Sequence, residues 1–258
     1  MNATGEPLDR VSYVKKHKDF EVDEQMSAFE ALFRPIKRFQ DLDKTTPILE
    51  IGIGTGWLQV ICGMKGLSCS GLEKSPQLAE YAREFGRRYS IATDITVGSI
   101  EDTDIGISKY DVIIANSTFE HVEKWQTGLK RVYEALKPGG LFYFYSTNKF
   151  SFVQGEYDIP LYGWLPNSWR YRLRRALQGE DIMNWGIDFN QFTYFELRRF
   201  FRRLGFSSIL DLADFLDPDQ LENPRFHKRI ALKVLKRVKP LKHLVLFFSS
   251  GTAFICIK

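Results

Sequence analysis

Between residues 47 and 147 short apolar runs alternate with amphipathic stretches, and this alternation restricts the fold more than any other feature. "PILEIGI" reads as a strand, "GWLQVICGMKG" as a helix and "SCSGLE" as a second strand. "SPQLAEYAREFGRRY" follows as a helix, with Ser75 as N-cap and Pro76 at the first helical position. "DITVGS" and "YDVIIAN" are two more short strands, "HVEKWQTGLKRVYEAL" is a helix stopped by "KPGG", and "LFYFYST" is a further strand. Strands that alternate with helices over about 100 residues imply a parallel sheet with helices on both faces. Residues 112–115 and 141–145 are apolar throughout, as strands buried on both sides should be.

The flanks depart from this rhythm. In "EQMSAFEALFRPIKRF" the apolar positions Met26, Phe29, Leu32, Phe33 and Ile36 have helical spacing, and Pro35 should kink the helix. Residues 1–46 are therefore expected to form a helical cap on a domain spanning 47–258. After Thr147 comes a stretch, 148–192, that holds Trp164, Trp169 and Trp185. "FTYFELRRFFRRLGF" then resumes as an amphipathic helix, "SSILDLAD" looks like a strand, residues 225–243 look helical, and "GTAFICIK" reads as the last strand. The domain thus carries two insertions, 148–192 and 214–248.

Composition narrows the function classes. A hydrophobic content of 44% and a charged content of 26% suit a soluble globular protein. Three cysteines, Cys62, Cys69 and Cys256, form neither a metal-spaced cluster nor an even disulfide set, and no secretory leader is recognisable, so a reducing cytoplasm is expected. The longest apolar run, 244–257, is broken by Ser249, Ser250, Gly251 and Thr252, too soon to span a bilayer. Nine of the 36 Lys/Arg and none of the 32 Asp/Glu lie from Asn223 onward, so an anionic partner would dock near the C-terminus.

Gly52, Gly54 and Gly56 stand where the first apolar strand ends, at the edge where open parallel sheets bind ligands. Glycine is costly there unless the backbone must do something a side chain would obstruct. A dinucleotide loop, G-x-G-x-x-G, would require a third glycine where Trp57 stands; a purely structural tight turn is the plainer alternative. Two carboxylates point to a ligand. Glu50 lies inside an apolar strand, a costly place for a carboxylate without a role. Glu73 ends the second strand, where carboxylates accept hydrogen bonds from ribose hydroxyls.

"LEIGIGTG", "GLEKS", "VGSIED", "DVIIANSTFEHV" and "LKPGG", in that order over residues 45–147, resemble the motifs of class I S-adenosylmethionine-dependent methyltransferases. The similarity is to the type 11 group and, more distantly, to quinone-biosynthesis O-methyltransferases. It implies a Rossmann-like, seven-stranded, mostly parallel α/β sheet with helices on both faces. The last strand, 251–257, would run antiparallel beside a strand near 207–213. The resemblance also implies S-adenosylmethionine as cofactor and S-adenosylhomocysteine as product, held by Glu50, Gly52, Gly54, Gly56, Trp57, Glu73, Lys74, Ser99, Ile100 and Asn116. Ser99 occupies the place of a frequent family Asp, which leaves adenine to the Ile100 backbone N–H and apolar walls.

Methyl transfer needs alignment and exclusion of water more than a nucleophile. For a hydroxyl acceptor, His121 in "FEHV" is the candidate general base; the alternative is that it braces the pocket. The quinone-biosynthesis relatives carry a glutamate, associated with metal dependence, where this chain has Ser117, so no metal is expected. Residues 148–192 would form a lid whose Trp164, Trp169 and Trp185 contact a small or amphiphilic acceptor, and Arg170, Arg172, Arg174 and Arg175 would receive its anionic groups. The segment 225–243 has the composition of a helix lying on an anionic membrane, or alternatively of a packed helix with a solvated basic face. Nucleic acid is not expected, because "NSTF" replaces the N-P-P-[YF] of amino-group DNA methylation. An active methyltransferase, acting at oxygen, is the leading reading. A catalytically silent cofactor-binding module or partner subunit is the other.

Overall fold

The computed structural model describes residues 21–152, 159–178, 188–217 and 226–258. Five strands are parallel: β1 (Ile48–Ile51), β2 (Cys69–Glu73), β3 (Asp94–Val97), β4 (Tyr110–Asn116) and β5 (Leu136–Thr147). β6 (Ser208–Asp211) and β7 (Gly251–Ile257) complete a seven-stranded sheet of order β3-β2-β1-β4-β5-β7-β6, with β7 antiparallel to both its neighbours. The last strand lies between β5 and β6, as the family resemblance implied.

Side-chain alternation divides the interior between the two faces of the sheet. Leu49, Ile51, Ile113, Ala115, Phe142 and Phe144 point to one face, against Leu129 and Val132 of a helix at Trp125–Ala135 and Leu197 and Phe201 of a helix at Tyr194–Leu204. Ile48, Val112, Ile114 and Leu141 point to the other. There they meet Leu58 and Ile61 of the helix Trp57–Met64, Phe85 of the helix Pro76–Arg88, and Phe29 and Phe33 of the helix Val22–Ile36. The N-terminal helix is thus part of the core, its two phenyl rings stacked 4.2 Å apart. Pro35 falls in its last turn and the helix ends at Ile36, so the proline terminates it rather than kinking it midway.

Three elements differ from their sequence reading. His121 lies in a separate 3₁₀ turn, Phe119–His121, and the following helix starts only at Trp125. The strand expected over "SSILDLAD" stops at Asp211, because Asp211 and Asp214 form a capping box that starts a one-turn helix, Leu212–Phe215. The basic segment is two helices, Phe226–Arg237 and Lys239–Phe247, broken at Val238 just ahead of Pro240.

Candidate active site at the carboxyl end of the sheet

Gly52, Gly54 and Gly56 all adopt left-handed backbone, with φ of 73°, 56° and 77°. A side chain would be strained there and, at two positions, blocked. A Cβ on Gly52 would lie 2.5 Å from the Thr118 side chain, and one on Gly56 would lie 2.5 Å from the Ala82 Cβ. The first glycine therefore lets the turn after β4 close on the turn after β1. The third lets the helix Trp57–Met64 start against the helix Pro76–Arg88.

Register brings the remaining parts to the same edge. Ile51 pairs with Leu72 on one side and Ala115 on the other, so Gly52 lies level with Glu73 and Asn116. The Gly54 N–H donates to Glu73 Oε2 at 3.3 Å, and the Ser75 N–H donates to Glu73 Oε1 at 2.9 Å. A carboxylate at the tip of β2 thus holds the glycine loop and the start of the next helix. Thr118 Oγ1 donates to the Ile51 carbonyl at 2.9 Å and to the Asn116 carbonyl at 3.2 Å, tying the two turns together.

Glu50 sits directly beneath this loop, 5% exposed. Gln59 Nε2 donates to its Oε2 in a short hydrogen bond. Burial, opposed by that bond and reinforced by nearby Glu73, pushes the Glu50 carboxyl up to about 8. Gly71 makes room for the arrangement, since a Cβ there would crowd Ile53 at 2.6 Å and Gln59 Nε2 at 3.3 Å. Gln59 was missed in the sequence reading, although a glutamine inside the apolar helix "WLQVICGM" was a legible signal.

Beyond β4, Asn116 and Ser117 are exposed and Ser117 takes left-handed backbone at φ 52°. His121 follows, half-buried, its N–H donating to the Thr118 carbonyl. Glu120 turns the other way: fully buried, it accepts from Ser146 Oγ at 2.9 Å. Asn190 clamps the turn from outside, its Nδ2 donating to the carbonyls of Phe119 at 3.2 Å and Val122 at 2.6 Å. Sequence spacing could not have found Asn190 or Thr118, since each acts through carbonyls of other residues.

Of the remaining candidates, Ser99 Oγ donates to Glu101 Oε2 at 3.0 Å. The Ile100 side chain packs inward against Gly128, so only its backbone remains for a ligand. Trp57 is half-buried and Lys74 exposed. Trp164 lies edge-on to Phe150, with centroids 5.4 Å apart, and its Nε1 donates to the Ser151 carbonyl at 3.0 Å. Trp169 is exposed, and Trp185 falls outside the described residues.

The arginine expectation needs correction. Arg170 and Arg174 are buried and paired with buried Asp188. Arg170 also bonds Asn167 Oδ1 at 2.7 Å and the Asp188 carbonyl at 3.1 Å. These two guanidiniums staple the helix Asn167–Gln178 to the chain near Asp188. Arg172 is exposed, as the remaining part of the expectation requires.

Residues 49–144 match a family described as "Methyltransferase domain". Over those residues the chain is similar to a methyltransferase domain. A ubiquinone biosynthesis O-methyltransferase from Methylobacterium sp. (strain 4-46) is 26% identical over 125 residues, which is 46% of this chain and 49% of that protein. A malonyl-[acyl-carrier protein] O-methyltransferase from Priestia megaterium (strain DSM 319 / IMG 1521) is 34% identical over 95 residues, 36% of this chain and 34% of that protein. The matched region spans about half the length of the ubiquinone-biosynthesis relative. Among solved structures, phosphoethanolamine N-methyltransferase 2 from Haemonchus contortus, in complex with S-adenosyl-L-methionine, aligns with a TM-score of 0.57 at 15% identity, over 90% of this chain and 52% of that one. A SAM dependent methyltransferase from Archaeoglobus fulgidus aligns with a TM-score of 0.56 at 15% identity, over 95% and 99% of the two chains. These structures share the methyltransferase domain's fold.

Proposed function

We propose that the protein transfers a methyl group from S-adenosylmethionine to a small or amphiphilic acceptor, at oxygen. The observation that carries this reading is the left-handed glycine loop held by Glu73 and locked to the Asn116 turn through Thr118. The donor set suits the cofactor. A carboxylate has about four acceptor sites, so Glu73 can hold the loop and take ribose hydroxyls as well. Gly52 and Gly54 bring bare backbone to the methionine portion, Glu50 and Asn116 flank it, Trp57 and Lys74 border the ribose side, and Ser99 with the Ile100 N–H faces adenine. When bound, the cofactor supplies a methyl group on a positively charged sulfur, open to in-line displacement.

His121, in the 3₁₀ turn that follows β4, is the candidate general base for a hydroxyl acceptor. The oxygen preference is supported by the O-methyltransferases among the sequence relatives. In the same reading residues 1–46 are a cap, 148–192 an acceptor lid with Trp164 and Trp169, and the protein works in the cytoplasm.

Isothermal calorimetry with S-adenosylmethionine and S-adenosylhomocysteine tests the core of the proposal. Glu73→Ala should weaken binding by about ten- to a hundredfold, the value of hydrogen bonds to a charged group, and Gly54→Val should abolish it. Wild-type affinity in both variants would sink the assignment. Binding without turnover, across acceptors offered from the quinol, phenol and fatty-acid classes, would favour the silent module. Where turnover is found, His121→Ala should lower it while leaving cofactor affinity intact, and unchanged turnover would remove the residue from the mechanism. Mass spectrometry of the product then decides between oxygen and nitrogen.

A further inference from the structure

Beyond the site, the residues described in the second half of the chain expose large apolar side chains at an aromatic cluster around Phe248 and along the two helices that precede it. Phe152 is 58% exposed, yet its ring stacks on Phe248 at 5.4 Å, and Trp164, 41% exposed, stacks on the same ring at 6.3 Å. The helix Lys239–Phe247 leads straight into Phe248 and exposes Leu244 by 57% and Val245 by 42%, while Lys242 and Leu246 on its other side are buried. Val234, on the preceding helix, and Val238, at the break between the two helices, are exposed as well. Lys233, Lys236, Arg237 and Lys239 flank these two in the sequence and are exposed, and no acidic residue occurs after Glu222.

We propose that this surface docks on an anionic lipid bilayer. Bare rings and aliphatic side chains bordered by lysine and arginine suit the boundary between head groups and acyl chains, where apolar groups bury and cations snorkel to the phosphates. A second copy of the chain fits less well, because a two-fold pairing of this surface would bring the exposed Lys233, Lys236, Arg237 and Lys239 of one copy against the same residues of the other. Among the described residues no helix is long and apolar enough to cross a membrane, so the contact is lateral.

One buried side chain, together with the Lys242 ion pairs to Asp211 and Asp214, holds the patch in place. Asn148, immediately after β5, donates through Nδ2 to the carbonyls of Leu246 at 3.2 Å, Phe247 at 2.9 Å and Ser249 at 3.0 Å. This ties the C-terminal end of the helix Lys239–Phe247 to the carboxyl edge of the sheet, the edge that carries the glycine loop. The lipid face and the candidate active site therefore lie at the same end of the molecule. An amphiphile resting in the bilayer would meet the protein beside its site.

Flotation of the full chain with vesicles of phosphatidylcholine alone, or mixed with phosphatidylglycerol, tests the proposal at low and at high salt. The protein should float with the mixed vesicles at low salt, weakly at high salt, and little with the neutral ones. Removing a basic residue from an anionic surface costs about fivefold, so Arg237→Gln/Lys239→Gln should lower partition about 25-fold. Leu244→Ser should lower it about tenfold. All three substitutions are at exposed positions, so melting temperatures should match wild type and report any misfolding. Failure to float with anionic vesicles, flotation indifferent to lipid charge and to the variants, or a concentration-dependent dimer in place of flotation would overturn it. Methyl transfer is a separate matter. Cofactor binding measured on the same samples would fail alone if that reading is wrong, and lipid binding would fail alone if this one is.

Discussion

Glu50 on β1 and Asp188 ahead of the helix Tyr194–Leu204 are both carboxylates shut away from water, and they keep different company. Glu50 is given an amide, Gln59, and a second carboxylate nearby, so its proton is held up to about pH 8. Asp188 is given two guanidiniums, the Gln191 amide at 2.7 Å and the Tyr162 hydroxyl at 3.4 Å. Burial beside that charge pushes the Tyr162 phenol well above its usual range. Asp211 repeats the second pattern, paired with Lys242 at 2.9 Å and Arg198 at 3.4 Å and accepting from Tyr194 at 2.8 Å. The difference tracks what each region must do. Under the glycine loop the buried carboxyl has no cation beside it among the described residues, which suits the proposed cationic cofactor, since a permanent cation there would compete with it. In the C-terminal half, ion pairs tie separate segments together: Asp188 to the helix Asn167–Gln178, and Asp211 to Arg198 and Lys242.

That contrast predicts unequal responses to deletion. The largest is at Asp188. Asp188→Ala would leave Arg170 and Arg174 buried without their counter-charge, and breaking a buried pair from one side costs about 3–5 kcal/mol. Urea unfolding should show this loss, with Asp188→Asn recovering part of it because the amide keeps the Tyr162 and Gln191 contacts. A midpoint unchanged in Asp188→Ala would mean that the staple carries no stability.

Next in size is the pH response of Glu50. Its folded pKa lies above its unfolded value of 4.5, so folding retains a proton that the unfolded chain releases. The stability this contributes is complete below about pH 4.5 and is lost as pH rises toward 8. Over pH 5 to 8 the loss should be about 3 kcal/mol. Glu50→Gln removes the titration, so the variant should gain on wild type steadily across that window. Parallel stability curves for the two proteins would show that Glu50 is ionised throughout.

How much of this could be read from residues alone follows from the same contrast. Strands 112–115 and 141–145 were legible because a strand buried on both faces is apolar at every position, and the intervening amphipathic stretches then had to be helices. The glycine loop and Glu50 were legible because both are expensive where they stand, and Glu73 because it ends the second strand. The strand order, with β7 between β5 and β6, came with the family resemblance, since periodicity does not say which strands are neighbours. Arg170 and Arg174 were read as receiving the anionic groups of an acceptor, and the acid that pairs with them instead is contributed by a residue outside their helix, Asp188. Thr118, Asn148 and Asn190 act through carbonyls of other segments, and no spacing rule marks a carbonyl partner.

The smallest effect on stability, and the most informative for the site, is at Thr118. Its hydroxyl spans the turns after β1 and β4, and its side chain fills the space that Gly52 leaves by lacking a Cβ. Thr118→Val keeps that volume and removes the donor, so unfolding should move by only about 1 kcal/mol, the net value of one hydrogen bond. Cofactor affinity should fall further than stability does, because the Ile51 carbonyl lies at the start of the glycine loop and the Asn116 carbonyl at the start of the opposing turn, and both lose their tether together. A calorimetric loss of about tenfold or more in S-adenosylmethionine affinity, alongside a nearly unchanged urea midpoint, would separate preorganisation of the loop from general packing. The matching change at Thr193, which caps the helix Tyr194–Leu204 by accepting the Glu196 N–H at 3.2 Å, sets the control. Thr193→Ala should cost a similar ~1 kcal/mol of stability and leave cofactor affinity alone. Equal effects of the two substitutions on binding would mean that the two turns are held by the fold as a whole and that Thr118 is not their latch.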